Sequence, residues 1–319
     1  MPPPAAGVLF ESALARSEPE AARQAGRRDT MMMRGKTCVI TGGTSGIGES
    51  AAIALADRGA ELALVCRSET RGQATKKKIE SRVGRSCVRL FHADFERLAE
   101  VHQVARQIRD ELERIDVLLN NAGVTMLGRH ETPDGFETTF AVNHLAPFLL
   151  THGLLPRLLE TPGARIVNVA SDAHRFGRLD LEDLQSTRRY STIRVYGGSK
   201  LANILFTREL ARRLEGRAIG IWSLHPGAVA TRLGANNGGI AKLLLPLLAL
   251  FFRTPEQGAQ TSIHLCSEPK IDAPNGSYFV DCKPRQPSAK ARDDEAARRL
   301  WEESERLVGL SEDERRPPP

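Results

Sequence analysis

What this chain lacks narrows it first. Its five cysteines, Cys38, Cys66, Cys87, Cys266 and Cys282, are odd in number, widely spaced and never form a CxxC pair. That spacing suggests neither a disulfide framework nor a zinc site, so a reducing, cytoplasmic setting is expected. The eight histidines include no HExxH or comparable cluster, which leaves no metal-ligand pattern. Aromatics are scarce at 5%, and only three of them are tyrosines. No apolar run reaches the roughly 20 residues needed to cross a bilayer. The most apolar stretch, IAKLLLPLLALFF at 240–252, is short and is interrupted by Lys242 and Pro246. Nor is there a stripe of one charge: the formal net charge is +6, but Lys and Arg are spread among acids along the chain, so no nucleic-acid partner is expected.

What is present is an ordinary globular balance, 41% hydrophobic and 26% charged, over 319 residues. Residues 1–34 differ from the rest, being rich in Pro, Ala, Glu and Arg and lacking a signal-like apolar core, and are expected to be a disordered extension. Met31, Met32 and Met33 stand directly before the first strand and offer an alternative translation start, the other reading of the preceding residues being a loose tail. The end of the chain, 311–319, is expected to be loose. Between them, from Lys36, short aliphatic runs alternate with longer helical stretches, the signature of a parallel sheet covered on both faces. Strands are read at 36–41, 61–66, 86–92, 115–121, 164–171, 219–225 and 277–280. Helices are read at 47–58, 71–82, 97–113, 133–159, 195–214, 255–267 and 291–308. The expectation is a single α/β domain over 35–310, a Rossmann fold with a seven-stranded, doubly wound parallel sheet.

The first strand runs into TGGTSGIG, Thr41 to Gly48, and then into a helix. Glycines there let the backbone approach a bound phosphate, and the helix start offers free N–H groups and partial positive charge to a pyrophosphate. An NAD site places an Asp or Glu at the end of the second strand, whereas this chain reads Val65, Cys66, Arg67, Ser68. Arg67 and Ser68 can receive a 2′-phosphate instead, so NADP(H) is the expected cofactor. Further along, Tyr196 and Lys200 are four residues apart, on one face of a helix. A phenol of ordinary pKa near 10 is a poor proton donor or acceptor at neutral pH. An adjacent ammonium is expected to favour its phenolate and so make it an acid–base group.

In this order, Thr41-Gly42-x-x-x-Gly46-x-Gly48, NNAG at 120–123, Asn143 in FAVNHLAPFLLT, Ser171 closing RIVNVAS, Tyr196-x-x-x-Lys200 and HPG at 225–227 resemble the short-chain dehydrogenase/reductase family. The resemblance spans about residues 35–310. Its wording is nearest the retinol dehydrogenase and WW-domain oxidoreductase branch, as in KLANILFTRELARRLEG at 200–216 and SLHPGAVATRLG at 223–234. It implies an NADP-dependent oxidoreductase in which Asn143, Ser171, Tyr196 and Lys200 are catalytic. Ser171 would hydrogen-bond the substrate oxygen, and Asn143 would hold a water linking Lys200 to solvent. For the cofactor it implies Gly42, Thr44, Ser45, Gly46, Ile47 and Gly48 at the phosphates and Asp94 at the adenine. Asn121, Ala122 and Gly123 would pass beneath the ribose, with Pro226, Gly227, Thr231, Tyr196 and Lys200 at the nicotinamide end. His174 and His225 are left as structural. Homodimers or homotetramers are expected by analogy alone.

The resemblance places the substrate lid at the loop ATRLGANNGG and the apolar stretch 240–252, where Leu243, Leu244, Leu247, Leu248, Phe251 and Phe252 offer a greasy wall. That suits a lipophilic aldehyde, ketone or alcohol, although the same surface could dock on a membrane or a second subunit. Membrane-bound retinol dehydrogenases carry an N-terminal anchor, and nothing before Lys36 reads as one. Two rival readings share the fold: a dinucleotide-binding scaffold or redox sensor without turnover, and an enzyme reducing a carbon–carbon double bond.

Overall fold

The computed structural model describes residues 32–227 and 253–315. The tails beyond them, the loop ATRLGANNGG with Thr231, where a lid is expected, and the apolar stretch 240–252 lie outside the described residues. Strands β1 (Thr37–Thr41), β2 (Glu61–Cys66), β3 (Val88–His92), β4 (Val117–Asn120), β5 (Ala164–Val169), β6 (Ile219–His225), β7 (Tyr278–Val280) and β8 (Lys283–Arg285) form one sheet in the order β3-β2-β1-β4-β5-β6-β7-β8. The first seven are parallel, as the unbroken apolar runs of β1, β2 and β4 require of strands buried on both faces.

Helices α1 (Gly46–Asp57), α2 (Glu69–Val83), α3 (Leu98–Glu111), α4 (Ala146–Leu159), α5 (Thr192–Arg213), α6 (Pro255–Ser267), α7 (Asp294–Leu307) and α8 (Glu312–Arg315) complete the fold. Leu55, Ile79 and Ile263 carry α1, α2 and α6 into one apolar layer. Ile108, Phe148, Ile204 and Trp301 carry α3, α4, α5 and α7 into the other. The strand order reverses between β1 and its neighbour β4, so a crevice opens beyond their carboxyl ends. The glycine turn and the NNAG segment both leave their strands there.

Three differences from the sequence reading have physical causes. The eighth strand pairs antiparallel with β7 through a two-residue turn in which Asp281 and Cys282 have φ of 53° and 60°. That is hairpin geometry without the usual Asn-Gly signal, feeding a strand of Lys, Pro and Arg. The expected helix 133–159 starts later, at Thr138, where the Glu137 carboxylate accepts from the Thr139 and Phe140 N–H groups at 2.9 and 2.6 Å. It then passes through a π-helical turn, Ala141–Leu145, before α4 begins. Finally, ordered packing begins ahead of residue 35: the Met33 side chain is buried and its N–H donates to the Arg58 carbonyl at 2.9 Å.

Candidate active site

The glycine turn is shaped by the segment lying against it. A Cβ on Gly48 would sit 2.3 Å from both Asn121 Nδ2 and the Gly42 carbonyl oxygen, and one on Gly42, where φ is +66°, would sit 2.9 Å from the Ala122 Cα. Only glycine fits either place. The Thr41 hydroxyl accepts from the N–H groups of Asn121 and Ala122, each at 3.0 Å. Asn121 Nδ2 donates back to the carbonyls of Thr41 at 3.0 Å and Gly42 at 3.3 Å. The two chain exits are thereby locked together, with Thr44 and Ser45 on the turn and Ile47 buried beneath it. Ser45 is the N-cap of α1 yet makes no side-chain capping bond. The helix start therefore keeps the unpaired N–H groups that suit an anion.

Ser171 follows β5 and begins a 3₁₀ turn, Asp172–Arg175, that lies along α5. The packing is backbone on backbone: a Cβ on Gly197 would be 2.4 Å from the Ala173 carbonyl oxygen, and one on Gly198 would be 2.5 Å from that of Arg178. This close crossing holds Ser171 beside Tyr196, and the Ser171 hydroxyl hydrogen-bonds the phenol. His174, buried, accepts at Nε2 from the Ser288 N–H at 3.1 Å, so its proton is on Nδ1, which donates to the Ser171 carbonyl at 2.8 Å. The Asp172 N–H donates to His225 Nδ1 at 3.2 Å. Burial lowers the pKa of both imidazoles.

Lys200 is buried, with Nζ donating to the Val169 carbonyl at 3.0 Å and lying 5.8 Å from the Tyr196 ring centre. Burial pushes its ammonium down to about 8. Burial pushes the Tyr196 phenol up to about 12, with the Ser171 hydrogen bond pulling the other way. Burial of the phenol thus works against the phenolate form that the neighbouring ammonium is expected to favour.

Asn143 sits in the π-helical turn and is fully buried. Its Oδ1 accepts from the Val124 N–H at 2.7 Å, while Nδ2 donates to the Val124 carbonyl and the Ser199 hydroxyl, both at 2.9 Å. It ties the exit of β4 to α5. Gly123 touches this junction, since a Cβ there would be 3.2 Å from Asn143 Oδ1 and 3.3 Å from Lys200 Nζ. The glycine turn, NNAG, Asn143, Ser171, Tyr196 and Lys200 thus converge on one crevice.

Arg67 lies at the end of β2, but not alone. Its Nη1 is 3.0 Å from Glu96 Oε1 and 3.8 Å from Asp94 Oδ1. Ser68 caps α2, its hydroxyl accepting from the Arg71 N–H at 3.4 Å. Asp94 shapes the turn after β3, its Oδ1 accepting from the Glu96 N–H at 3.1 Å. Pro226 is buried after β6, and Gly227, at φ +86°, packs against Arg253.

The sequence model of the short chain dehydrogenase family matches residues 36–239. The chain belongs to this family. Among curated members it is 41% identical to retinol dehydrogenase 12 of Mus musculus over 276 residues, 86% of this chain and 87% of that protein. It is 42% identical to retinol dehydrogenase 13 of Homo sapiens over 282 residues, 86% of this chain and 85% of that one. Among solved structures, an uncharacterised protein from Mycobacterium paratuberculosis superposes with a TM-score of 0.72 at 33% identity, covering 90% of this chain and 97% of that one. A short chain dehydrogenase from Escherichia coli CFT073 in complex with NADPH shares the fold at a TM-score of 0.61 and 23% identity, over 79% of this chain and 98% of that one.

This short-chain dehydrogenase also has residues at the site that the sequence reading passed over. Gly177 is one: a Cβ there would be 2.1 Å from the Gly197 carbonyl carbon. Gly197 and Gly198, between Tyr196 and Lys200, were the visible half of that contact. Ser199 is another, accepting from Asn143 while its hydroxyl donates to the Tyr196 carbonyl at 2.8 Å. Among the described residues no group of His, Cys, Asp and Glu could hold a metal ion. None of the described helices is long and apolar enough to cross a membrane.

Proposed function

We propose that this chain reduces lipophilic aldehydes or ketones with NADPH, and catalyses the reverse oxidation of the alcohols, in a cytoplasmic setting. The observation that carries the reading is the meeting of Ser171, Tyr196 and Lys200 beyond β5, beside a glycine turn with no room for a side chain. That turn, with an uncapped helix start behind it, fits the pyrophosphate of a nicotinamide dinucleotide. Gly42, Thr44, Ser45, Gly46, Ile47 and Gly48 would hold the phosphates, Asp94 the adenine, and Asn121, Ala122 and Gly123 the ribose. Pro226, Gly227 and Thr231 would meet the nicotinamide end. Arg67, standing where an NAD site carries a carboxylate, supports NADP(H). When bound, the cofactor supplies or accepts hydride.

The protein's part is the proton. Tyr196, held in its neutral form by burial, would donate its phenolic proton to the carbonyl oxygen while Ser171 hydrogen-bonds the same atom. Lys200 is still largely protonated at neutral pH and would stabilise the phenolate left behind. Asn143 would hold a water linking Lys200 to solvent, while its side chain, engaged by Val124 and Ser199, ties the β4 exit to α5.

The substrate class rests on the retinol dehydrogenases among the relatives and on the apolar residues Leu243 to Phe252 of the sequence. The test is kcat/KM for isoprenoid, long-chain and small polar aldehydes with NADPH and with NADH. Lipophilic aldehydes with NADPH should lead by at least about tenfold, the scale of two or three extra buried methylenes. Equal turnover across the aldehydes would reject the lipophilic substrate, and equal use of the two cofactors would reject the NADP preference.

A further inference from the structure

The cation expected to read the cofactor's 2′-phosphate is already in use. Arg67 Nη1 is 3.0 Å from Glu96 Oε1 and 3.8 Å from Asp94 Oδ1, with the Arg67 and Glu96 side chains 49% and 31% exposed. The pairing follows from the sheet. Cys66 on β2 lies beside His92 on β3, so the turn after β3 is carried alongside the residue after β2. Within that turn the Glu96 N–H donates to Asp94 Oδ1 at 3.1 Å, and the Asp94 N–H donates to Glu100 Oε2 at 2.8 Å. Glu96 is thus set by backbone geometry, and its only hydrogen-bonded side-chain partner among the described residues is Arg67.

We propose that Glu96 is a specificity-determining residue that limits this enzyme's preference for NADPH over NADH. The proposal rests on the reading that Arg67 receives the 2′-phosphate. A phosphate monoester carrying nearly two negative charges must compete with Glu96 for the guanidinium or bind its other N–H groups, and in either case lies close to the Glu96 carboxylate. A bare ribose needs no guanidinium, so NADH leaves the Arg67–Glu96 pair intact. Glu96 therefore weakens binding of one cofactor and leaves the other alone. Both partners are partly exposed and screened by water, so the effect is modest. Asp94 cannot make the same distinction cleanly, because its carboxylate also builds the turn.

The test is calorimetric titration of the full-length protein with NADPH and with NADH, for the wild type, Glu96→Gln, Glu96→Lys and Arg67→Ala. Removing the Glu96 charge should tighten NADPH about fivefold, the upper end for a partly exposed ion pair, and move NADH less than about twofold. Glu96→Lys should tighten NADPH further, and added salt should shrink both gains. NADPH affinity unchanged in Glu96→Gln, or NADH tightened as much as NADPH, would overturn the proposal. Arg67→Ala tests the underlying reading separately. If it leaves NADPH affinity at the wild-type value, Arg67 does not hold the phosphate. If it weakens NADPH while Glu96→Gln has no effect, only the part given to Glu96 is lost.

Discussion

Gly177 and Gly197 meet with no room for a side chain on either: a Cβ on the first would lie 2.1 Å from the carbonyl carbon of the second, and one on the second 2.7 Å from the Cα of the first. This contact presses the segment carrying Ser171 onto the helix carrying Tyr196. Gly177→Ala should push the two apart. The expected loss in kcat is about a hundredfold, as for other misplacements near 1 Å, with a stability cost of about 1–3 kcal/mol from overpacking. NADPH affinity should stay near the wild-type value, because the glycine turn is untouched. Steady-state kinetics with calorimetric titration checks this, and an unchanged kcat would show that the contact does not position Ser171.

Lys200 is held at a cost to the fold. Its folded pKa of about 8 lies below the ordinary 10.5, so between those values the unfolded chain binds more protons and stability rises with pH. Below about 8 the full penalty for burying the ammonium is present. Lys200→Met removes that charge, and the Val169 carbonyl keeps the Asn203 Nδ2 donor at 3.3 Å. The variant should be more stable than the wild type at neutral pH by about 2 kcal/mol, although inactive. The gain should fade as pH rises from about 8 to 10.5. Denaturant melts across that range check the sign: a variant less stable at neutral pH would mean that the buried ammonium stabilises the fold.

Gly48 is packed between Gly42 and Asn121 in the crevice. Gly48→Ala would put a methyl 2.3 Å from Asn121 Nδ2 and from the Gly42 carbonyl oxygen, so the turn must open. Both NADPH and NADH should then lose at least about tenfold in affinity, since the backbone N–H groups no longer converge on the pyrophosphate. Glu96→Gln, by contrast, should discriminate between the two cofactors. Titration with each cofactor separates the cases.

Much of this is legible in the sequence. The unbroken apolar runs VIT and ALVC could only be strands covered on both sides, and TGGTSGIG after the first of them marked the crevice. Tyr196 and Lys200 fell on one helix face by spacing alone. The details that were not legible depend on contacts between distant segments. Nothing near Gly177 says that Gly197 lies against it, and nothing in HADFERL says that Glu96 turns back to Arg67. β8 is three residues of Lys, Pro and Arg, paired only because Asp281 and Cys282 accept left-handed φ values. The burial of Tyr196 was not legible for a related reason. Spacing reveals a neighbouring charge, whereas burial, which here dominates, is a property of the whole fold.

Tyr196→Phe tests the central claim most directly, through a single-turnover measurement with NADPH already bound and a lipophilic aldehyde added. The ring and its packing survive and only the proton is lost. Loss of reduced-nicotinamide absorbance should slow by about three orders of magnitude, while titration returns an NADPH affinity near that of the wild type. Hydride transfer at an undiminished rate would mean that the carbonyl oxygen receives its proton from another group.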